Sequence, residues 1–234
     1  MGKDTIIKSI LSDKVSMTPN GFIADQLTPT QFEQCHETFF DAIFEISSSD
    51  ITGIEGYGPF DDACATAYAS CREFLTDSFA DNHEGYWYNW REMFETTVMD
   101  RDFFAAYYKE MEDRIPYCEG QRYLINNNTF FANMITDGKT TVGFPDWSRS
   151  GIGDFLLDYA IMDVNKPYLR IPELLHRYCK VRNIVMPDFQ ERFLCMAYFV
   201  GLGVLRWHAS IDDTESCMSI MRSVSELKDR IYAL

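Results

Sequence analysis

The chain has 234 residues, enough for one domain with a sizeable core or for two small lobes. A hydrophobic fraction of 46%, with 15% aromatic residues, excludes a disordered chain. The chain has 21 Lys and Arg residues and 36 Asp and Glu residues, so its formal charge is −15. This charge argues against a nucleic-acid backbone or an anionic membrane surface as the main partner. It suits either solubility or a cationic ligand.

Cysteine and histidine usage indicates the compartment. The seven cysteines are odd in number and widely spaced, no C-x-x-C motif occurs, and the four histidines lack metal-ligand spacing. The pattern predicts neither a disulfide framework nor a structural zinc site, and it favours a reducing compartment. No signal-peptide pattern is visible, and the longest apolar run, 193–205, is too short to span a bilayer. We therefore expect a cytoplasmic protein without a membrane partner.

Hydrophobic periodicity predicts the elements in chain order. A helix is expected from residue 30 to 46, after the capping pair Thr28-Pro29. Three more helices are expected at 62–80, 85–97 and 99–115. Strand-like runs follow at 122–125, 134–136 and 140–144, with a turn at Asp137-Gly138. Helical patterns return at 152–164, 171–182, 188–209 and 213–232. The predicted fold class is mainly α with a small β-hairpin element.

The central hairpin carries the residues of greatest chemical interest. Asn128 and Asn133 precede the strand at 134–136, and Asp146 follows the strand at 140–144. A hairpin of this length brings Asn133 and Asp146 to the same end of two adjacent strands. Their amide and carboxylate oxygens could share a hard cation such as Mg²⁺. Loop asparagines and aspartates also commonly cap turns, so the spacing alone leaves both interpretations open.

Three segments resemble a known catalytic signature. Residues 124–135, 144–147 and 153–160 read LINNNTFFANMI, FPDW and GDFLLDYA. They resemble the L-V-H-G-D-x-x-x-x-N-h-L, h-I-D-W and G-D-x-x-x-D-h-A motifs of the aminoglycoside phosphotransferase family, which has a protein-kinase-like fold. The stretch 56–60, GYGPF, and the following region with Trp87 and Trp90 are most similar to the hygromycin B phosphotransferases. The resemblance covers about residues 20 to 210.

The resemblance implies a fold and a site. Residues 21–234 are expected to form a kinase-like C-terminal lobe after a hinge-like segment at 1–20. Asn133 would match the asparagine that holds Mg²⁺, and Asp146 the aspartate that bridges Mg²⁺ to the phosphates of ATP. Asp154 would match an aspartate that braces the catalytic loop by hydrogen bonds. Asn128 stands where the family has its catalytic aspartate, and an amide cannot serve as a carboxylate base. Loss of a general base typically costs about 10²–10⁴-fold in rate.

The start of the chain lacks the features of a nucleotide-binding lobe. The residues before Gly21 contain no Gly-rich loop, and Lys3, Lys8 and Lys14 do not occur in a V-A-I-K-like context. We therefore expect the N-terminal lobe of the family to be absent. Two functions remain open. One is a degenerate, non-catalytic relative, and the other is an ATP-dependent phosphotransferase acting on an aminoglycoside such as hygromycin, as in antibiotic resistance.

Partners follow from the charge and from the apolar start of the chain. A cationic aminoglycoside would be bound by carboxylates, for which the candidates are Asp61, Asp62, Asp163, Asp212, Asp213 and Glu215. Each of these could equally be a solvated surface charge. An apolar surface near the start of the chain would need covering by a separate N-terminal lobe or by self-association; it comprises Ile6, Ile7, Ile10 and Leu11.

Overall fold

The computed structural model describes residues 21–81, 84–139 and 142–234. Within this part, the helices are α1 (Pro29–Ser47), α2 (Cys71–Asp77), α3 (Met93–Thr96), α4 (Arg101–Cys118), α5 (Leu156–Asn165), α6 (Ile171–Arg182), α7 (Phe189–Ser210) and α8 (Thr214–Tyr232). The strands are β1 (Phe22–Ile23), β2 (Tyr57–Phe60), β3 (Thr66–Tyr68), β4 (Tyr123–Ile125), β5 (Ile135–Thr136), β6 (Val142–Gly143) and β7 (Gly151–Gly153). The predicted fold class, mainly α with a small β element, is confirmed.

Helix α1 begins where its sequence predicts. The Gln31 N–H donates to the Thr28 side chain, and the Thr28 N–H donates to the Gln31 side chain, so the first turn has a complete capping box. Pro29 fits the first helical position because it has no N–H to satisfy there. One face of the helix is buried, and it joins the core through Phe32, Phe39, Phe40 and Ile43.

Helix α7 is the centre of the molecule. It packs against α4, α5 and α8, and the apolar run 193–205 lies almost entirely inside the core. Length and composition alone would let α7 cross a membrane, but 67% of its most apolar window is buried within the fold. This burial is that of a core helix.

Two small antiparallel sheets position the central segment. The first has the order β1-β5-β6, and Ile135 pairs with Gly143 in the predicted hairpin. The second has the order β3-β2-β7-β4, and Leu124 pairs with Ile152. Strand β4 leads into the asparagine-rich loop, and β7 follows the segment that contains Asp146. The second sheet therefore supports both sides of the candidate site.

The expected helices at 62–80 and 85–97 are largely wrong. The first region contains part of the β2–β3 hairpin and the seven-residue α2, which begins after a Ser70 cap. Cys64 adopts a left-handed conformation with φ 60° in the hairpin turn, and this conformation is incompatible with a helix. The second region holds only a short 3₁₀ turn and α3, because Asn89 is also left-handed. Its aromatic residues anchor irregular backbone to the core.

Some predictions fall outside the described residues. The hinge-like segment 1–20, its apolar surface and its lysines lie there, as do the first two residues of the expected strand 140–144. The domain division at residue 21 therefore stays a prediction. All seven cysteines are free thiols.

Candidate functional site

The asparagine-rich loop leaves strand β4 and is held by one buried carboxylate. The backbone N–H groups of Asn126 and Asn127 donate to the two oxygens of Asp158 at 3.0 and 2.7 Å. The Thr129 hydroxyl donates to the Asp158 carbonyl at 2.6 Å. Asn127 has φ 55°, a left-handed conformation that asparagine tolerates better than most residues. These bonds fix the turn that presents Asn128.

The brace expected of Asp154 is provided by Asp158 instead. Asp154 lies before α5, where it accepts the Leu156 N–H at 3.0 Å and forms two hydrogen bonds with Arg192 of α7. Asp158 lies one helical turn later, on the face of α5 that contacts the loop. Burial raises the pKa of Asp158 to about 7, although the two backbone N–H groups act in the opposite direction. Sequence reasoning missed this role, although Asp158 is the second aspartate of the G-D-x-x-x-D motif.

The structure brings the other three predicted site residues together. The amide Nδ2 of Asn128 donates to Asp146 Oδ2 at 2.8 Å. The amide Nδ2 of Asn133 donates to Asn128 Oδ1 at 2.8 Å. Asn133 and Asp146 flank the β5–β6 hairpin, and Asn128 lies between their two side chains and contacts both.

Asp146 is the charged member of this group. Its side chain is exposed, and its Oδ1 accepts the Ser148 N–H at 2.9 Å. Hydrogen bonds from Ser148, followed by those from the Asn128 amide and by the charge of Arg149, lower the pKa of Asp146 below its usual range. The site therefore presents one ionised carboxylate at neutral pH.

Two further amides fasten the Asp146 segment to the loop. Asn126 Nδ2 donates to the Asp146 carbonyl at 2.9 Å, and Asn127 Nδ2 donates to the Arg149 carbonyl at 3.2 Å. Both side chains are buried. The N-N-N run thus has a structural role that the sequence did not reveal, because its acceptors are carbonyl groups about 20 residues further along the chain.

The donor chemistry fits a hard divalent cation of the kind that the resemblance implies. Asp146 supplies a carboxylate, and Asn133 has a side-chain oxygen opposite the amide nitrogen that Asn128 engages. Oxygen ligands from one or two carboxylates, completed by substrate phosphates, are the usual environment of Mg²⁺. Among the residues that the structure describes, no group of three His, Cys, Asp or Glu side chains converges. Any ion here would depend on one carboxylate and one amide.

The candidate substrate carboxylates differ in availability. Asp163 is buried and pairs with Arg230, so it cannot contact a ligand. Its prediction as a substrate carboxylate was wrong. Asp61 accepts the N–H groups of Ala63 and Ala65 and holds the β2–β3 turn. Asp213 caps α8 and contacts His208. Asp61 is exposed although its carboxylate serves the turn, and the other exposed candidates are Asp62, Asp212 and Glu215.

Helices pack around α7, and the β5–β6 hairpin lies between the asparagine-rich loop and the segment that contains Asp146. With the buried carboxylate that holds the loop, this arrangement is that of a protein-kinase-like C-terminal lobe. Solved structures share this fold. The crystal structure of aminoglycoside phosphotransferase APH(4)-Ia matches with a TM-score of 0.70 at 20% identity, over 90% of this chain and 69% of that chain. The fold of the resemblance is thereby confirmed.

Two ternary complexes of thermostable mutants of the same enzyme also match over 90% of this chain and 69% of theirs. One contains AMP-PNP and hygromycin B, with a TM-score of 0.69 at 21% identity. The other contains ADP and hygromycin B, with a TM-score of 0.65 at 20% identity. No protein-family model matches the sequence, and no curated protein matches it significantly.

Proposed function

We propose that this chain is a degenerate relative of the aminoglycoside phosphotransferases, which binds ATP–Mg²⁺ weakly and transfers phosphate poorly or not at all. The observation that carries the proposal is the state of Asn128. It occupies the loop position at which the resemblance expects an aspartate, and its amide N–H donates to Asp146. A group that donates a hydrogen bond to Asp146 and has no basic lone pair cannot take a proton from a substrate hydroxyl.

The other residues of the site keep the contacts that phosphate binding needs. Asp158 holds the loop, and Asp146 is ionised and exposed at its edge. In phosphoryl transfer the protein contributes mainly positioning and charge stabilisation, and Mg²⁺, when bound, neutralises phosphate charge. Asp146 and Asn133 would hold that ion, and the loop would orient the acceptor. These residues support phosphate binding better than they support proton abstraction.

An active ATP-dependent phosphotransferase acting on an aminoglycoside is the second candidate. The net charge of −15 favours it, because an acidic surface attracts a polycationic sugar. The matching structures that contain hygromycin B and a nucleotide support the same substrate class. A loose transition state also tolerates loss of the base better than most reactions do. A separately supplied N-terminal lobe would strengthen this candidate.

The test is phosphoryl transfer from labelled ATP to a panel of aminoglycosides. We expect wild-type turnover near background and little rescue in Asn128→Asp. Asp146→Ala tests the site, and Asp102→Ala, which removes an exposed carboxylate of α4, is the matched control. Robust turnover that is lost in Asp146→Ala and kept in Asp102→Ala would refute the degenerate assignment. A large rescue in Asn128→Asp would show that the base alone was limiting.

A further inference from the structure

Asn133, Asn128 and Asp146 form one chain of side-chain hydrogen bonds. Asn133 donates to Asn128, and Asn128 donates to Asp146, each at 2.8 Å. Asn133 also donates to the Asn128 carbonyl at 3.4 Å. The second oxygen of Asp146 accepts the Ser148 N–H. Both carboxylate oxygens therefore already have an N–H partner from the protein itself.

We propose that the Asn128 amide takes the place of a divalent cation, by linking Asn133 to Asp146 so that the site keeps its geometry with no ion bound. The inference rests on the proposed function only in treating this site as one that held a cation and phosphate in an ancestor. It concerns what holds the site together, whether or not the chain transfers phosphate.

Charge and donor count carry the inference. An amide and a carboxylate in contact attract each other, because one donates and the other accepts. A carboxylate at position 128 would be acceptor-only and would face the ionised Asp146 at hydrogen-bond distance. Two like charges so close repel unless a cation or a proton lies between them. Asn133 could still donate to that carboxylate, but the link to Asp146 would be lost.

No positively charged side chain of the described residues links Asp146 to Asn133. The groups that face Asp146 from the described chain are the Asn128 amide, the N–H and hydroxyl of Ser148, and the charge of Arg149. Arg149 acts on Asp146 through its charge, with no hydrogen bond between the two side chains. Asn128 is therefore the only side chain that joins Asp146 to Asn133 in the part of the chain that the structure describes.

Thermal unfolding with EDTA or with millimolar MgCl₂, together with titration by Mn²⁺ alone, tests the proposal. We expect the wild-type melting temperature to be the same in both buffers. Asn128→Asp should melt lower in EDTA and recover by about 5 °C or more with Mg²⁺, because the ion binds only the folded site. Its Mn²⁺ affinity should exceed that of the wild type by about tenfold or more, since ligand charge sets cation affinity.

The matched control exchanges the two groups. In the double variant Asn128→Asp/Asp146→Asn, the amide and the carboxylate change places, so the hydrogen bond is restored with its direction reversed. We expect this variant to be as insensitive to EDTA as the wild type. Its composition and net charge equal those of the wild type, which separates the effect of the contact from the effect of total charge.

Three results would overturn the inference. The first is a wild-type chain that gains as much from Mg²⁺ as Asn128→Asp does. The second is Asn128→Asp that is as stable as the wild type in EDTA and binds Mn²⁺ no more tightly. The third is Asn128→Asp that fails to fold even with Mg²⁺ while the double variant folds. Failure of the proposed function would be distinct, since it would appear as wild-type turnover in the transfer assay and not in these measurements.

Discussion

Helix α7 contains two buried arginines, Arg192 and Arg206, whose surroundings differ. The same substitution, arginine to methionine, can therefore be compared at both positions. Arg192 forms a bidentate pair with Asp154 at 2.8 and 2.9 Å, and the two side chains are 2% and 0% exposed. Arg192→Met would leave the Asp154 carboxylate buried, with the Leu156 N–H as its remaining partner. Removing one partner of a buried pair typically costs about 3–5 kcal/mol. For a chain of this size, the melting temperature should fall by about 10 °C.

Arg206 lies 14 positions further along the same helix and has no carboxylate partner among the described residues. Its Nε and Nη1 have no hydrogen bond, and its guanidinium lies 3.9 Å from the Trp87 ring and 5.0 Å from the Trp90 ring. Burial, and then the charge of Arg91, lowers its pKa to about 10. Arg206→Met removes the cation–π attraction, which destabilises the fold, and it also removes the cost of burying a charge, which stabilises it. We expect stability to change by no more than about 1 kcal/mol.

Urea unfolding followed by far-UV circular dichroism measures both variants. The double variant Arg192→Met/Asp154→Leu should recover most of the loss, because it removes the orphaned carboxylate along with its partner. An equal cost for Arg192→Met and Arg206→Met would refute the reasoning, since the buried carboxylate would then contribute nothing. So would a double variant that is less stable than Arg192→Met alone.

Two other expectations concern pH and helix packing. Burial raises the pKa of Asp158 to about 7 and that of Asp163 to about 6, while both lie near 3.9 in an unfolded chain. Between roughly pH 4 and 7 the folded chain therefore binds more protons than the unfolded chain, so its free energy of unfolding should fall as pH rises. In urea titrations at several pH values, Asp158→Asn should make this pH dependence weaker. In α7, Gly203→Ala meets no atom within 4 Å and should stabilise by about 0.5–1 kcal/mol. Gly201→Ala would place its Cβ 2.6 Å from Val224 and should cost about 1–3 kcal/mol in the same assay.

The local hydrophobic pattern was sufficient to predict most helices in the second half of the chain. The helices predicted at 171–182, 188–209 and 213–232 match α6, α7 and α8 to within one residue at each end. Their apolar spacing and their turn residues specify the same structure, so tertiary packing had no conflict to resolve. The approach of Asn133 to Asp146 was likewise predictable, because a short hairpin fixes where its two ends lie.

Non-local contacts explain the failures. Strand β2 pairs with β7, about 90 residues later, and Gly151 lies directly against the Gly58 carbonyl, where no side chain fits. Nothing within the GYGPF stretch identifies that distant partner. The two aspartates of the G-D-x-x-x-D motif were confused for a similar reason. Their roles depend on distant partners, because Asp154 pairs with Arg192, 38 positions away, and Asp158 accepts from loop residues about 30 positions before it.

The difference between a carboxylate and an amide at position 128 is chemical and hardly steric. Exchanging an oxygen for an NH₂ group changes the volume little, but it removes one negative charge and turns an acceptor into a donor. Backbone shape is therefore preserved, and the lobe matches solved phosphotransferase structures over 90% of its length at 20% identity. A comparison of backbone shapes does not detect the change of hydrogen-bond donors and acceptors around Asp146. Because the Asn128 amide donates to Asp146, it also lowers the electrostatic demand for a cation there, so Asn128→Asp should restore cation affinity while phosphoryl transfer stays low.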